Sequence, residues 1–254
     1  MRQGISDLAA FYASPLGEAA RDMTVRKVLQ TWGDCRGLEV LGAGYATPVL
    51  EALSDRATRR LAVMPPEQGA EAWPSPRRNR TALAAEDALP FPNARFDRIL
   101  LIHALEESPN PEALLDEMTR VLAPAGRLIV VAAARNGPWA PHETTPFGHG
   151  RPFTRRQLAG RLRQAGLEPT GWTRALYVPP ATWLAGWAEG FERVGSLFWR
   201  PFSGLILMEA VKQTLALQPR PARAAARRAT ARPDRRRAPV GPRPQPAGRD
   251  PAGA

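Results

Sequence analysis

The sequence predicts an α/β fold in which a doubly wound, mostly parallel sheet of seven strands carries helices on both faces. Two apolar runs, within residues 95–105 and 127–134, show no alternation of polar and apolar residues. This is typical of strands buried on both faces of a parallel sheet. A well-capped amphipathic helix separates the two runs. Strands and helices alternate along the rest of the chain, which favours an α/β fold in one domain.

The first elements are helical and lead into a short strand. Apolar residues across 5–32 recur at helical spacing and predict two amphipathic helices, separated by a Ser-Pro-Leu-Gly stretch. A buried strand at 37–44 then ends in glycine. The next helix spans 47–57, with Thr47 as its N-cap and Pro48 at the first helical position, where the missing N–H of proline has no cost.

The later elements continue this alternation. Asn110 and Thr154 are predicted to cap two of the helices, and Gly166 is predicted to end the second of them. The remaining predicted strands are 59–66, 81–85, 95–105, 127–134, 168–178 and 204–213. The remaining predicted helices are 110–126, 153–166 and 182–199.

The predicted helix at 182–199 is rich in aromatic residues. Spacings of four and seven place most of them on one face. They are Trp183, Trp187, Phe191, Phe198 and Trp199. We expect this face to pack on the sheet as a cover. The alternative is an exposed face for an apolar substrate, a membrane surface or a partner.

The positive charge is concentrated at the end of the chain. The formal net charge is +11 over 254 residues. Residues 219–254 contain ten arginines and two aspartates, a net of +8, which leaves +3 for the first 218 residues. Pro, Ala, Gly and Arg dominate this segment, which predicts disorder. The predicted organisation is a helical cover at 1–36, an α/β domain at 37–217 and a disordered tail at 218–254.

Composition disfavours several classes of protein. Cys35 is the only cysteine, so we expect neither a disulfide framework nor a thiolate metal site. The three histidines have no known metal-ligand spacing, so no metal is predicted. A signal-peptide core and a spanning apolar run are not found, and we expect a cytoplasmic protein. The tail is compatible with nucleic acid or an anionic membrane, but a solvated extension is the favoured interpretation.

A resemblance to a known family rests mainly on residues 96–134. The matching features are Phe96-Asp97, His103, Leu105, Glu117, Arg120-Val121-Leu122 and Pro124-x-Gly126. Together with LPFPNARFD at 89–97, they resemble the second half of the class I S-adenosylmethionine-dependent methyltransferases, in particular the type 11-like group. The resemblance covers residues 37–213 and implies a Rossmann-like sheet with S-adenosylmethionine as the cofactor.

The resemblance also implies where the cofactor would bind. Gly42, Ala43 and Gly44 would supply a backbone cradle, because glycines let a backbone approach a ligand closely. In the family an acid commonly lies two residues before the first glycine, and here that residue is Val40, next to Glu39. The family's third glycine is replaced by Ala46. The cradle is therefore altered.

The acids that would hold the nucleoside are displaced as well. The second strand ends in Met64 and Pro65, where the family has an acid for the ribose hydroxyls. The acid for the adenine amine is replaced by Ala85. The substitutes that we expect are Glu67 or Gln68 for the ribose, and Glu86 or Asp87 for the adenine. By resemblance, His103 lies near the methyl donor, with a structural hydrogen bond as the favoured role.

A long loop at 136–154 follows the fifth strand, at the ligand end of the predicted sheet. It contains the candidate substrate residues His142, His149 and Arg151. Histidine can act as a general base near neutral pH, and arginine can bind a carboxylate or phosphate. The alternative is a surface loop whose histidines bond to the backbone. The sequence identifies no catalytic residue, because methyl transfer depends largely on alignment.

The expected function is transfer of a methyl group from S-adenosylmethionine to a small molecule. Two alternatives remain. One is a non-catalytic binding protein that kept the methyltransferase fold and lost the donor. The other is a protein tethered to nucleic acid or membrane by its basic tail.

Overall fold

A computed structural model of the chain describes residues 2–199 and 202–213. Residues 1–214 form one compact unit. The predicted tail at 218–254 lies outside the described residues, and the predicted division of the chain at residues 36 and 217 stays a prediction.

The described residues form six α-helices and seven strands. The helices are α1 Ile5–Tyr12, α2 Pro15–Trp32, α3 Thr47–Glu51, α4 Pro111–Val121, α5 Arg155–Gln164 and α6 Ala188–Phe198. The strands are β1 Glu39–Gly44, β2 Arg59–Met64, β3 Thr81–Leu83, β4 Phe96–Ile102, β5 Leu122–Ala133, β6 Leu167–Ala175 and β7 Leu205–Lys212. Short 3-10 helices occur at Pro76–Arg78, Pro146–Gly148 and Thr182–Trp187.

All seven strands join one sheet in the order β3-β2-β1-β4-β5-β7-β6. The first five are parallel, and β7 is antiparallel to both β5 and β6. The predicted doubly wound, mostly parallel sheet is thus confirmed. Strand order reverses between β1 and β4, where Gly44 is paired with Ile102. A ligand site in such a sheet lies beyond the carboxyl ends of these strands.

Both faces of the sheet are buried, as the apolar run in β4 predicted. Leu100 and Ile102 face a core shared with α2 and α3. Ile99 and Leu101 face a second core shared with α4 and α5. Burial on two sides explains why β4 shows no polar alternation.

The predicted caps of α4 and α5 are confirmed. The Asn110 side chain accepts a hydrogen bond from the Ala113 backbone N–H at 3.1 Å, with Pro111 in the first turn. Thr154 and Gln157 form a reciprocal capping box at the start of α5. Gly166, with φ of +78°, follows α5 in the left-handed conformation that commonly ends a helix.

Three helix predictions need correction. The predicted helix at 110–126 ends at Val121, because residues 122–126 already belong to β5.

The second correction concerns the start and end of α3. Thr47 is not an N-cap: Ala46 has that position, and the Thr47 hydroxyl instead donates to Glu71 at 2.8 Å. The helix that begins there ends at Glu51, and residues 52–56 continue as turns with hydrogen bonds three residues apart.

The third correction concerns residues 182–199. They form a 3-10 helix followed by α6, and most of their aromatic side chains do not pack on the sheet. Phe191 is partly buried against the core. Trp183, Trp187 and Phe198 are instead 80%, 71% and 77% exposed.

Arg120 ties α4 to the segment that precedes β4. Its guanidinium donates to Glu117, to the Leu89 and Phe91 carbonyls and to Asn93. Glu117 also accepts from the Leu89 N–H at 2.7 Å, and the Arg120 guanidinium holds the pKa of Glu117 below its usual value. Glu117 and Arg120, two of the residues that carry the family resemblance, therefore have a structural role.

Replacing Arg120 with methionine should lower the free energy of unfolding by about 2 kcal/mol, because hydrogen bonds to charged groups are lost while the apolar stem remains. Urea denaturation measures the change. The matched control is Arg161→Met, since Arg161 forms an exposed pair with Glu112 whose contribution is under about 1 kcal/mol. Equal losses in the two variants would contradict a special role for Arg120.

Candidate functional site

Residues 42–44 form a glycine corner at the end of β1. Gly44 has φ of +78°, and a Cβ there would overlap the carbonyl oxygen of Ile102 at the end of β4. That same carbonyl accepts the Tyr45 N–H at 2.9 Å. The corner therefore requires glycine because the backbones of β1 and β4 meet closely.

Gly42 is required for a different reason. A Cβ on Gly42 would lie 2.7 Å from the Ala46 Cβ and from a methyl of Leu50, so glycine lets α3 pack directly on β1. Both glycines thus have a packing role whether or not a ligand binds. The replacement of the expected third glycine by Ala46 is accommodated, because Ala46 is fully buried against this packing.

Residues 2–12, which we call the N-terminal strap, lie over the glycine corner. Tyr12 packs against Tyr45 with ring centroids 5.5 Å apart. Leu8 and Met64 complete this cluster, and neither is exposed to solvent. The strap thus covers the carboxyl ends of β1 and β2 with apolar side chains.

Polar contacts fix the strap to the loops around the corner. Arg2 forms an ion pair with Glu86 at 2.6 Å, with the two side chains only 5% and 14% exposed. The Arg2 guanidinium also donates to the Ala104 carbonyl. The Gln3 N–H donates to Glu107 at 2.7 Å, and the Ile5 N–H donates to the Gln68 carbonyl at 2.8 Å. The strap therefore directly contacts Glu86, one of the residues predicted to bind the methyl donor.

The cavity left beside Gly44 is only about 10 Å³. Its lining includes Gly44, Met64 and Glu86. Sites for ligands of cofactor size have volumes of about 300–1,000 Å³. No ligand of that size fits while the strap is docked.

The groups around this small cavity are chemically suited to bind a nucleoside, although the cavity is too small to hold one. The Gln68 side chain is 3% exposed, and neither its amide nitrogen nor its oxygen has a hydrogen-bond partner among the described residues. The Glu86 carboxylate lines the cavity. A carboxylate and an amide are groups that can bond hydroxyls and an amine. By contrast, the Glu67 and Asp87 side chains are exposed to solvent.

A second cavity, of about 540 Å³, lies between α5, β6, β7 and the segment that follows β5. Arginines dominate its lining, and none of the candidate site residues belongs to it. In this conformation the residues predicted to bind the methyl donor therefore do not border this larger cavity.

His103 lies directly after β4, beneath the strap. Its Nε2 is 2.9 Å from the Tyr12 hydroxyl, and its ring centroid is 4.6 Å from that of Phe147. Burial, with a further contribution from His149, lowers the pKa of His103 to about 3. The imidazole is therefore neutral at neutral pH and suited to hydrogen bonding.

Glu106 is a buried carboxyl group three residues further along. Its Oε1 accepts the Ala133 N–H at 2.9 Å, which joins the ends of β4 and β5. Burial raises the pKa of Glu106 to about 7. A carboxyl group with this pKa exchanges a proton near neutral pH, which is the property of a general acid or base.

The loop at 136–154 reaches this region mainly through its backbone. The Arg151 N–H donates to the Glu106 carbonyl at 2.9 Å, and a Cβ on Gly150 would lie 2.5 Å from the same oxygen. The Arg151 side chain is exposed, as is His142. A ring nitrogen of His149 lies 2.6 Å from the Glu143 carbonyl oxygen. The candidate side chains of the loop are therefore not gathered around one point.

Sequence reasoning missed four residues of this region: Tyr12, Tyr45, Glu71 and Glu106. Glu71 accepts hydrogen bonds from Tyr45 and Thr47 and so places a carboxylate beside the glycine corner. The position of Tyr45, next to the last glycine, was a usable signal. Nothing local in the sequence marks Tyr12 or Glu71 as a neighbour of the corner.

Among the described residues, no group of three or more His, Cys, Asp or Glu side chains is placed to hold a metal ion. Within the same residues, no helix has both the length and the apolar character needed to cross a membrane.

Comparison with known proteins gives one family. The sequence model of a methyltransferase domain family matches residues 31–170. The ubiquinone/menaquinone biosynthesis C-methyltransferase of Bordetella parapertussis is 40% identical over 55 residues, which are 22% of this chain and 21% of that protein. The chain thus matches only about a fifth of the length of this relative.

Solved structures share the fold. A methyltransferase of Thermotoga maritima, described as a possible histamine N-methyltransferase, has a TM-score of 0.57 at 16% identity and covers 82% of this chain and 96% of its own. The geranyl diphosphate C-methyltransferase of Streptomyces coelicolor, solved with S-adenosyl-L-homocysteine, has a TM-score of 0.56 at 15% identity and covers 75% and 77%.

Proposed function

The chain belongs to the methyltransferase domain family, and from this premise we propose that it transfers the methyl group of S-adenosylmethionine to a small molecule. The observation that carries the proposal is the family match, which extends over more than half of the chain. The position of the glycine corner at the switch point between β1 and β4 supports it.

In this proposal the donor binds at the glycine corner. The backbone of residues 42–44 contacts the donor, while Glu86 and the unpartnered amide of Gln68 bond its nucleoside. When bound, S-adenosylmethionine supplies an already activated methyl group. The protein's own contribution is to align the reactants and exclude water.

Donor entry requires the strap to leave the corner. The cavity of about 10 Å³ must enlarge, and Arg2 must release Glu86. Only molecules with the strap undocked can bind the donor. The apparent donor affinity is therefore the intrinsic affinity multiplied by the fraction of molecules in that open state. In this proposal Glu106 accepts a proton from the acceptor. Its pKa of about 7 and its position at the carboxyl ends of β4 and β5 support this role.

The proposal also includes the chemical class of the methyl acceptor and the cellular location of the protein. The Streptomyces relative acts on geranyl diphosphate, which supports a small-molecule acceptor. A cytoplasmic location agrees with the single, unpaired Cys35.

Thermal unfolding with and without S-adenosylmethionine or S-adenosylhomocysteine tests the proposal. At about 100 times the dissociation constant, a ligand adds roughly 2.7 kcal/mol to the free energy of unfolding. For a chain of this size we expect Tm to rise by about 5–10 °C. No rise with either ligand at millimolar concentration would instead favour the non-catalytic alternative, to which the filled corner already points.

A matched pair of variants locates the binding site. Both changes are made in an Arg2→Met background, in which the ion pair that holds the strap to Glu86 is already absent. In that background Glu86→Gln should weaken donor binding about tenfold or more, because a charge-assisted hydrogen bond is lost. Asp87→Asn, one residue away on the exposed surface, should leave it unchanged.

A further inference from the structure

Helix α6 buries small and charged residues and exposes most of its large apolar ones. Its buried positions are Ala188, Glu192 and Gly195, whereas its large apolar residues other than the partly buried Phe191 point outward. We call the exposed apolar set the aromatic face. Its members are Trp183, Trp187, Val194, Leu197, Phe198, Trp199 and Phe202. Exposed apolar patches on soluble proteins commonly mark binding surfaces.

The inward side of α6 is held in place by specific contacts. The Glu192 carboxylate accepts the Leu176 and Tyr177 N–H groups at 3.0 and 3.3 Å. A Cβ on Gly195 would lie 2.5 Å from the Tyr177 ring, so only glycine allows this approach. Rotating the helix to bury its large side chains would break both contacts. The outward direction of the aromatic face is therefore fixed by the fold.

α6 and the residues of α2 beside it carry three basic and two acidic side chains, and the chain as a whole is strongly basic. Arg26 and Lys27 of α2 lie near the inward side of α6, since both partly offset the rise that burial causes in the pKa of Glu192. Arg193 is exposed on α6 itself, and Glu189 is paired with Arg26 at 3.1 Å. The sequence after residue 218 adds a net charge of +8. Exposed Trp and Phe beside basic residues are typical of helices that lie in the surface of a bilayer.

Two other occupants fit less well. The chain after Gln213 cannot cover the aromatic face with apolar groups, because its only large apolar residues are Leu215, Leu217 and Val240. A second copy would bring two chains of formal charge +11 together. An anionic surface complements this charge.

We propose that the aromatic face docks the protein on the surface of an anionic lipid bilayer. Trp183, Trp187 and Phe198 enter the headgroup region, while the neighbouring basic residues and the arginines of the tail attract anionic headgroups. This goes beyond the proposed methyl transfer and does not depend on it.

Co-sedimentation of the full chain with vesicles tests the proposal. We expect binding to vesicles of phosphatidylcholine mixed with phosphatidylglycerol, and at least tenfold weaker binding to phosphatidylcholine alone. The double variant W187E/F198E should reduce binding to the mixed vesicles at least tenfold. The matched control is Trp172→Glu, which changes an exposed tryptophan outside the aromatic face and should leave binding unchanged. Circular dichroism establishes that each variant is folded.

Three outcomes would overturn the proposal. The first is unchanged vesicle binding in W187E/F198E together with lost binding in R235Q/R236Q/R237Q, which would assign binding to the tail alone. The second is the absence of vesicle binding together with a dimer in light scattering that W187E/F198E dissociates, which would assign the face to a second copy. The third is a folded, monomeric protein that binds neither kind of vesicle.

Discussion

Replacing Gly44 with alanine is expected to lower the free energy of unfolding by about 4 kcal/mol. Two effects combine at this position. A left-handed backbone costs a residue with a Cβ about 1–2 kcal/mol, and here φ is +78°. The added Cβ would also overlap the Ile102 carbonyl oxygen, so β1 and β4 must separate. Urea denaturation of the purified variant measures the loss.

Gly166→Ala separates the two effects. Gly166 also has φ of +78°, but no atom lies within 4 Å of the position of its added Cβ. This variant should lose only about 1–2 kcal/mol. If both variants lost the same amount, the close approach of β1 and β4 would not be a source of stability.

Glu106→Gln is expected to make stability strongly dependent on pH between about 4.5 and 6.5. The folded pKa of Glu106 is raised to about 7. Its stabilising contribution is therefore complete below the unfolded value and is lost as pH rises through 7. The folded pKa of His103 is lowered to about 3, so its contribution is present above 6.5 and is lost as pH falls toward 3. In the shared window the two effects oppose each other.

Removing the Glu106 titration leaves the His103 effect unopposed. The variant should lose about 1.4 kcal/mol for each pH unit of acidification in this window, relative to the unmodified protein. Chemical denaturation at a series of pH values gives both slopes. His103→Asn should show the reverse difference, with stability that increases as pH falls from 7 to 4.5. Parallel profiles for all three proteins would show that neither group is buried as the structure describes.

Much of the fold was predictable because its signals are local. Asn110 and Thr154 cap helices through contacts within three residues. The apolar run in β4 reports burial on both faces of the sheet. The failure at 182–199 has the same origin, since periodicity shows that a helix has an apolar face but does not show whether that face meets the core or the solvent.

The candidate site was less predictable. The glycine corner can be read from the sequence, but the packing that requires Gly42 depends on where α3 lies. Tyr12 meets His103 across 91 residues of sequence, and Arg2 meets Glu86 across 84. Such contacts depend on the path of the chain through space. Neither the spacing of residues nor the composition of the sequence indicates that the strap fills the corner.

The strap also sets an order of events during synthesis. Its partners Glu86, His103, Ala104 and Glu107 follow it by 84 to 104 residues. On the ribosome the strap therefore emerges well before these four partners, and its contacts with them must wait until β4 and the residues around it have been made. Its contacts with Tyr45, Met64 and Gln68 are available earlier. A nascent chain thus passes through a stage in which the polar contacts that hold Arg2, Gln3 and Tyr12 over the corner do not yet exist.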